Sequence, residues 1–183
     1  DFKSKTLDLN LSLTDASTFL INNFWEDSLS SGRATGSMYL KGPFDSLGIS
    51  ADLIIDKFGY NNILLESFEF IGDIEDLNNF TQGAFKLKFG KGTWNEYGFE
   101  SGTGEFLLLD TLVEVSSFEL KNGNDYLQFN GSVNKDSVIN LERFQIAYRE
   151  HYLINPRPIY ISYSNNSFSF EPFEIHVDDG IIE

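Results

Sequence analysis

The chain has no cysteine, one methionine, four prolines and two histidines in 183 residues. Without cysteine there is no disulfide and no thiolate chemistry, which fits a cytosolic protein or a periplasmic one that dispenses with disulfides. The histidines, His151 and His176, have no partner at metal-ligand spacing and read as ordinary strand or surface residues. Basic residues are scarce: 13 Lys and Arg stand against 28 Asp and Glu, a net charge of −15. So acidic a chain repels nucleic acid and anionic membrane surfaces, and no Lys/Arg cluster offsets it. No apolar run approaches the roughly 18 residues that span a bilayer. No nucleophile elbow, Walker loop or Rossmann fingerprint occurs. Gly102-Thr-Gly104 is too short to cradle a phosphate and suits a turn. No initiator Met, signal peptide or cap is visible, so residues 1–183 are expected to be one β-rich segment excised from a larger protein.

Apolar alternation is what the chain does have. Leu7, Leu9, Leu11 and Leu13 share one face of a first strand, with Thr6, Asp8, Asn10 and Ser12 on the other. Phe85, Leu87 and Phe89 repeat the pattern against Lys86 and Lys88, and Leu127, Phe129 and Val133 follow it. Period two means one apolar and one wet face per strand. The 18 Phe and 8 Tyr suit pleated strands better than helices. Strands are expected near 5–13, 36–42, 49–55, 63–70, 83–89, 93–99, 104–109, 111–120, 126–133, 138–148, 159–164 and 167–177. Asn122-Gly123 is the strongest hairpin signal, and Pro156-Arg157-Pro158 should interrupt pairing. Short, evenly spaced strands joined by turns predict an antiparallel all-β fold. One short helix is expected near residues 15–25, capped by Thr14 or Asp15.

Acidic positions offer little chemistry. Asp73, Glu75 and Asp76, or Asp178 and Asp179, lack EF-hand spacing and read as solvated loops. No carboxylate pair is singled out for glycoside hydrolysis. The expectation is a non-catalytic protein that uses no cofactor and no metal.

Two stretches carry a family resemblance. An amphipathic Asp15-Ala-Ser-Thr-Phe-Leu precedes Gly32-Arg-Ala-Thr-Gly-Ser-Met-Tyr-Leu-Lys-Gly42, then Pro43-Phe-Asp-Ser-Leu-Gly48 and Ile49-Ser-Ala-Asp-Leu-Ile-Ile55. Arg157-Pro-Ile-Tyr-Ile-Ser-Tyr163 to Val177-Asp-Asp-Gly-Ile-Ile-Glu183 repeats that grammar. This resembles the recurrent unit of the TamB and AsmA-like family of envelope proteins. The resemblance implies a single long antiparallel sheet curled into a U-shaped, "β-taco"-like trough, apolar inside and polar outside. It also implies the periplasm of a diderm bacterium, with the full-length protein anchored in the inner membrane by parts not in this chain. The implied role is phospholipid transport between inner and outer membranes, outer-membrane protein assembly, or both. The implied partners are phospholipid acyl chains, outer-membrane assembly proteins and unfolded β-strands. A dozen strands ~4.8 Å apart would make a trough roughly 50 Å long.

The side chains expected to line that groove are Leu40, Leu53, Ile55, Phe68, Phe70 and Phe85 in the first half. Leu87, Phe106, Leu108, Phe118, Leu120 and Leu127 continue it, and Phe129, Ile146, Ile159, Ile161, Phe168 and Phe170 complete it. The same residues would also serve as the core of a closed β-sandwich. Exposed aromatics on a β scaffold are the basis of a rival expectation, a secreted β-sandwich acting as a carbohydrate-binding or adhesive module in which Trp25, Trp94 and Tyr97 stack on sugar rings. A sandwich must be sealed by a second layer, whereas a trough leaves its apolar face and edge strands open.

Overall fold

A computed structural model of the chain describes residues 5–18, 30–77, 82–164, 167–178 and 180–182. Alternation wins almost everywhere: the described residues form one antiparallel sheet of sixteen strands. The first nine places are β1 (Thr6–Ser17), β2 (Ser30–Pro43), β3 (Gly48–Tyr60), β4 (Ile63–Ile74), β5 (Gly83–Phe89), β6 (Gly92–Trp94), β7 (Tyr97–Phe99), β8 (Ser101–Leu109) and β9 (Leu112–Asn122). They are followed by β10 (Asp125–Asn134), β11 (Val138–Tyr148), β12 (His151–Ile154), β13 (Ile159–Ser164), β14 (Ser167–Phe170), β15 (Ile175–Val177) and β16 (Gly180–Ile182). The spatial order is β1-β2-β3-β4-β5-β8-β9-β10-β11-β12-β15-β16, nearly the order of the chain, as hairpin connections dictate.

The sheet is open rather than closed into a barrel, and three departures from the expected strand list shape it. Residues 93–99 are a hairpin, β6–β7, because Asn95 takes a left-handed φ of 54° between Trp94 and Tyr97. It prolongs the β5–β8 pair lengthwise along the far end of β4, where Ile63 opposes Trp94. Residues 167–177 are two strands, β14 and β15, broken at Pro172. The β9–β10 loop comprises Gly123 and Asn124 rather than Asn122 and Gly123; Asn122 pairs with Asp125, and Gly123 supplies φ +61°.

The helix expected near 15–25 does not begin where predicted. Asp15, Ala16 and Ser17 continue β1, with Ala16 opposite Ala34 and Ser17 opposite Arg33. The capping signal is instead a β-bulge: Asp15 takes φ 53°, its N–H donates to Thr35 Oγ1 at 3.2 Å, and its carboxylate pairs with Arg33. The remainder of the predicted helix lies outside the described residues.

The sheet curls toward its apolar face. Ile54 and Ile55 are consecutive on β3 and chemically identical, yet Ile54 is 48% exposed on the polar face and Ile55 only 6% on the apolar face. Ile71 at 52% and Ile74 at 9% repeat the contrast on β4. No second sheet among the described strands lies over that face. The occlusion therefore comes from concavity.

Large and small residues interlock to permit the bend. The Phe89 ring lies over Gly102 on the facing strand, where an added Cβ would come within 2.1 Å of Phe89 Cε2. Phe85 similarly crowds Gly72, whose added Cβ would meet Phe85 Cβ at 2.4 Å. Rings laid across cross-strand glycines cover backbone that would otherwise face water.

Candidate functional site: an apolar trough

Register fixes which side chains share the concave face. Directly opposed residues of an antiparallel ladder point to the same side. Leu40 faces Ile49 across β2–β3, Leu53 faces Phe70, and Ile55 faces Phe68 across β3–β4. Phe70 faces Leu87, Phe85 faces Phe106, and Leu108 faces Val113. Phe118 faces Phe129 and Leu120 faces Leu127, which in turn faces Ile146. At the far end Ile159 faces Leu141, Ile161 faces Ile139 and Phe170, and Phe168 faces Tyr163. All the side chains predicted to line a groove thus lie on one continuous face.

The rings form a nearly unbroken track along it. Phe58 and Phe68 stack at 5.0 Å between centroids, Phe70 and Phe85 at 5.9 Å, and Phe85 and Phe106 at 4.7 Å. Phe89, Phe118 and Phe129 continue at 6.3 and 4.7 Å. Phe58, Phe99 and Phe144 also belong to this face and were not expected there, whereas Phe89 joins it as its alternation with Phe85 and Leu87 predicts. Phe58 was hidden by a bulge against β2, between the Ser31–Gly59 and Arg33–Asp56 pairs: Lys57 takes φ 53°, which restores the next residue to the apolar side.

Burial along the face is partial. Ile55, Leu108 and Ile159 are buried, most of the others are half-buried, and Phe168 and Phe170 are 61% and 56% exposed. No large side chain among the described residues is fully buried. The accessible surface totals 12482 Å², against ~9,000 Å² for a globular chain of this mass. A sandwich core would look different: its central Phe and Leu would be sealed.

The opposite face is polar and carries ion pairs. Two are cross-strand, Lys86 Nζ lying 2.7 Å from Glu105 and Lys88 Nζ 3.1 Å from Glu69, and one lies within β9, Lys121 Nζ 2.6 Å from Glu119. Lys121, with Gln128, holds the Glu119 carboxyl below its ordinary range. Such exposed pairs contribute about 0–1 kcal/mol each, so they fix register more than they stabilise. An open depression of about 340 Å³ lies on this face, lined by Thr103, Ser117, Glu119, Gln128, Asn130 and Arg143. Nothing in the strand pattern announced it, because it follows from bulges between Val115 and Phe118 and between Asn130 and Gly131.

Other predicted positions stand apart from the trough floor. Trp94 and Tyr97 oppose each other at the β6–β7 tip, 55% and 78% exposed, so neither is a core residue. Trp25 lies outside the described residues. His151 Nδ1 is 2.8 Å from Asp178 and His176 Nε2 is 2.5 Å from Glu174. Among the described residues no group of three or more His, Asp or Glu side chains is placed to hold a metal ion. No described helix is long and apolar enough to cross a membrane.

No family model, no curated protein and no solved structure matches the chain.

Proposed function

We propose that this chain is a non-catalytic segment of an apolar conduit that carries the acyl chains of phospholipids between the membranes of a bacterial envelope. One observation carries the reading: a continuous, concave, Phe-rich face runs across the sheet, and among the described residues no second layer covers it. An acyl chain in water has a penalty of ~0.8 kcal/mol for each exposed CH₂, and a lining of this kind removes most of it along the path. The path is long, because strands ~4.8 Å apart in the observed order extend it to roughly 50 Å. The resemblance to TamB and AsmA-like proteins supports the same role and adds the periplasm as its setting, outer-membrane assembly proteins as partners and unfolded β-strands as further cargo. The membrane anchor would belong to parts outside this chain. The carbohydrate-binding alternative keeps its exposed aromatics, Trp94 and Tyr97, but the sheet of the described strands is not the closed sandwich it assumed.

Photo-crosslinking tests the proposal. A photoreactive amino acid at Phe118 or Phe129 should yield lipid adducts, whereas one at Lys86 or Lys88 on the polar face should not. Adducts at neither pair, from a folded monomer, would refute the conduit.

A further inference from the structure

Beyond β11 the sheet forks, and one prong differs from every other hairpin of the molecule. β13 pairs with residues 138–141 of β11 and with β14, and no described strand pairs with the outer edge of β14. From Pro158 to Phe170 the sequence has no charged residue, its longest such run in a chain of net charge −15. Every other hairpin of the sheet carries at least one charge in its strands or turn.

One face of this prong is aromatic and the other is hydroxylic. Tyr163 packs on Phe168 at 4.8 Å between centroids, and Ile161 opposes Phe170. On the reverse side Ser162 opposes Ser169 and Ser164 opposes Ser167. All four residues of β14 are exposed, and Phe168 and Phe170 are the most exposed phenylalanines among the described residues. The nearest charges lie at the margins. Arg157 and Glu171 flank the base, and Lys135 and Asp136 belong to the turn where Ser137 O accepts the Tyr163 N–H at 3.0 Å. The aromatic face is continuous with the trough floor through the Ile161–Ile139 and Ile159–Leu141 pairs.

We propose that the β13–β14 hairpin is where the trough meets a bilayer, its aromatic face entering the interfacial layer of a zwitterionic lipid membrane so that lipid passes between bilayer and floor. The inference rests on the lipid-conduit reading and adds a docking site to it. Aromatic side chains collect at the depth where apolar and wet surroundings meet, and tyrosine suits both. The serine face can hydrogen-bond to headgroups and water without desolvating a charge, which would be costly. A protein partner is ordinarily steered and held in register by complementary charge, and this hairpin offers none. The acidic remainder of the chain repels an anionic surface, so net-neutral lipid is the surface that fits.

The test measures binding of the intact chain to phosphatidylcholine vesicles by sedimentation. Phe168→Ser with Phe170→Ser should weaken binding about tenfold or more, because interfacial affinity scales with the apolar area inserted. Leu64→Ser, which removes a similarly exposed apolar side chain from the β3–β4 hairpin, should leave it unchanged. A reporter chain, Trp25→Phe with Trp94→Phe and Phe168→Trp, keeps β14 aromatic and should shift its emission to the blue on vesicles. No vesicle binding, an unshifted reporter, or equal losses in the double variant and Leu64→Ser would overturn the docking. The conduit would survive that result if the chain still binds monomeric lysophosphatidylcholine, and would fall with it if it does not.

Discussion

The Asn155 side chain supplies the hydrogen-bond partner that Phe144 would otherwise lack. Its Oδ1 accepts the Phe144 N–H, and its Nδ2 donates to Leu141 O at 3.2 Å and to Arg157 O at 2.9 Å. The need arises because β11 is shared. Residues 145–148 pair with β12 and residues 138–141 with β13, so the backbone between them faces no strand on that side. Pro156 and Pro158 flank the gap and cannot donate to it. Asn155 is itself 4% exposed, so water has little access to whatever its removal leaves unpaired.

Asn155→Ala should therefore cost about 2–3 kcal/mol, the penalty for stranding buried donors and acceptors. Urea unfolding would show a lowered midpoint with an unchanged slope. A loss within ordinary surface-substitution scatter would mean that β11, β12 and β13 hold together without this hub.

A charge in the middle of the trough should block its use without dismantling the sheet. Phe118 is packed against Phe129 at 4.7 Å and is half-buried. Phe118→Asp should weaken lysolipid binding by about tenfold or more, since an unpaired carboxylate must either stay hydrated or be desolvated by the acyl chain. Thr103→Asp, on the polar face of the adjacent strand, should leave binding unchanged. Circular dichroism decides whether Phe118→Asp folds; Leu87→Arg tests the same floor if it does not. Normal binding by a folded floor variant would remove the trough from the mechanism.

Much of this architecture was legible in the residues, and the reason is the rigid period of a strand. Leu53, Phe85 and Phe129 could be assigned to one side from alternation alone, because a strand has only two sides. Alternation cannot cross a bulge. Lys57 and Asp15, both at positive φ, and the paired irregularities of β9, β10 and β11 shift the phase, which is why Phe58 was missed. Asp15 also shows how a signal can be read in the wrong context: an acidic residue before an apolar run caps helices, but here it pairs with Arg33 across a strand bulge. The openness of the apolar face was not legible at all, because a sandwich core and a trough floor use the same side chains in the same order.

Glycines of the sheet should be unequal in their tolerance of a methyl group. Gly131 is buried, and a Cβ there would come within 2.1 Å of the Asn140 carbonyl oxygen, which is backbone and cannot swing aside. Gly98, at the β6–β7 hairpin, has nothing within 4 Å of an added Cβ and no positive φ. Gly131→Ala should cost about 1–3 kcal/mol by forcing β10 and β11 apart, and Gly98→Ala should be near neutral in the same thermal melt. Equal effects would mean that the strand spacing at the β10 bulge is looser than this contact requires.

Acid should loosen the far end of the sheet before its middle. Asp178 takes φ 50° just after β15, where its Oδ1 accepts the Tyr152 N–H at 2.8 Å and its Oδ2 lies 2.8 Å from His151 Nδ1. The His151 contact first, and the Tyr152 N–H second, hold the Asp178 carboxyl below its ordinary value. A carboxyl depressed in the folded state stabilises that state at every pH above its unfolded value, and the contribution disappears as pH falls through the folded one. The window therefore lies below about pH 4. Hydrogen exchange at the Tyr152 amide, corrected for its intrinsic rate, should accelerate there while amides of β4 and β5 stay protected. Asp178→Asn should abolish this extra acid sensitivity at Tyr152. Identical pH profiles for Tyr152 in both chains would show that the β12–β15 junction is held by its ladder alone.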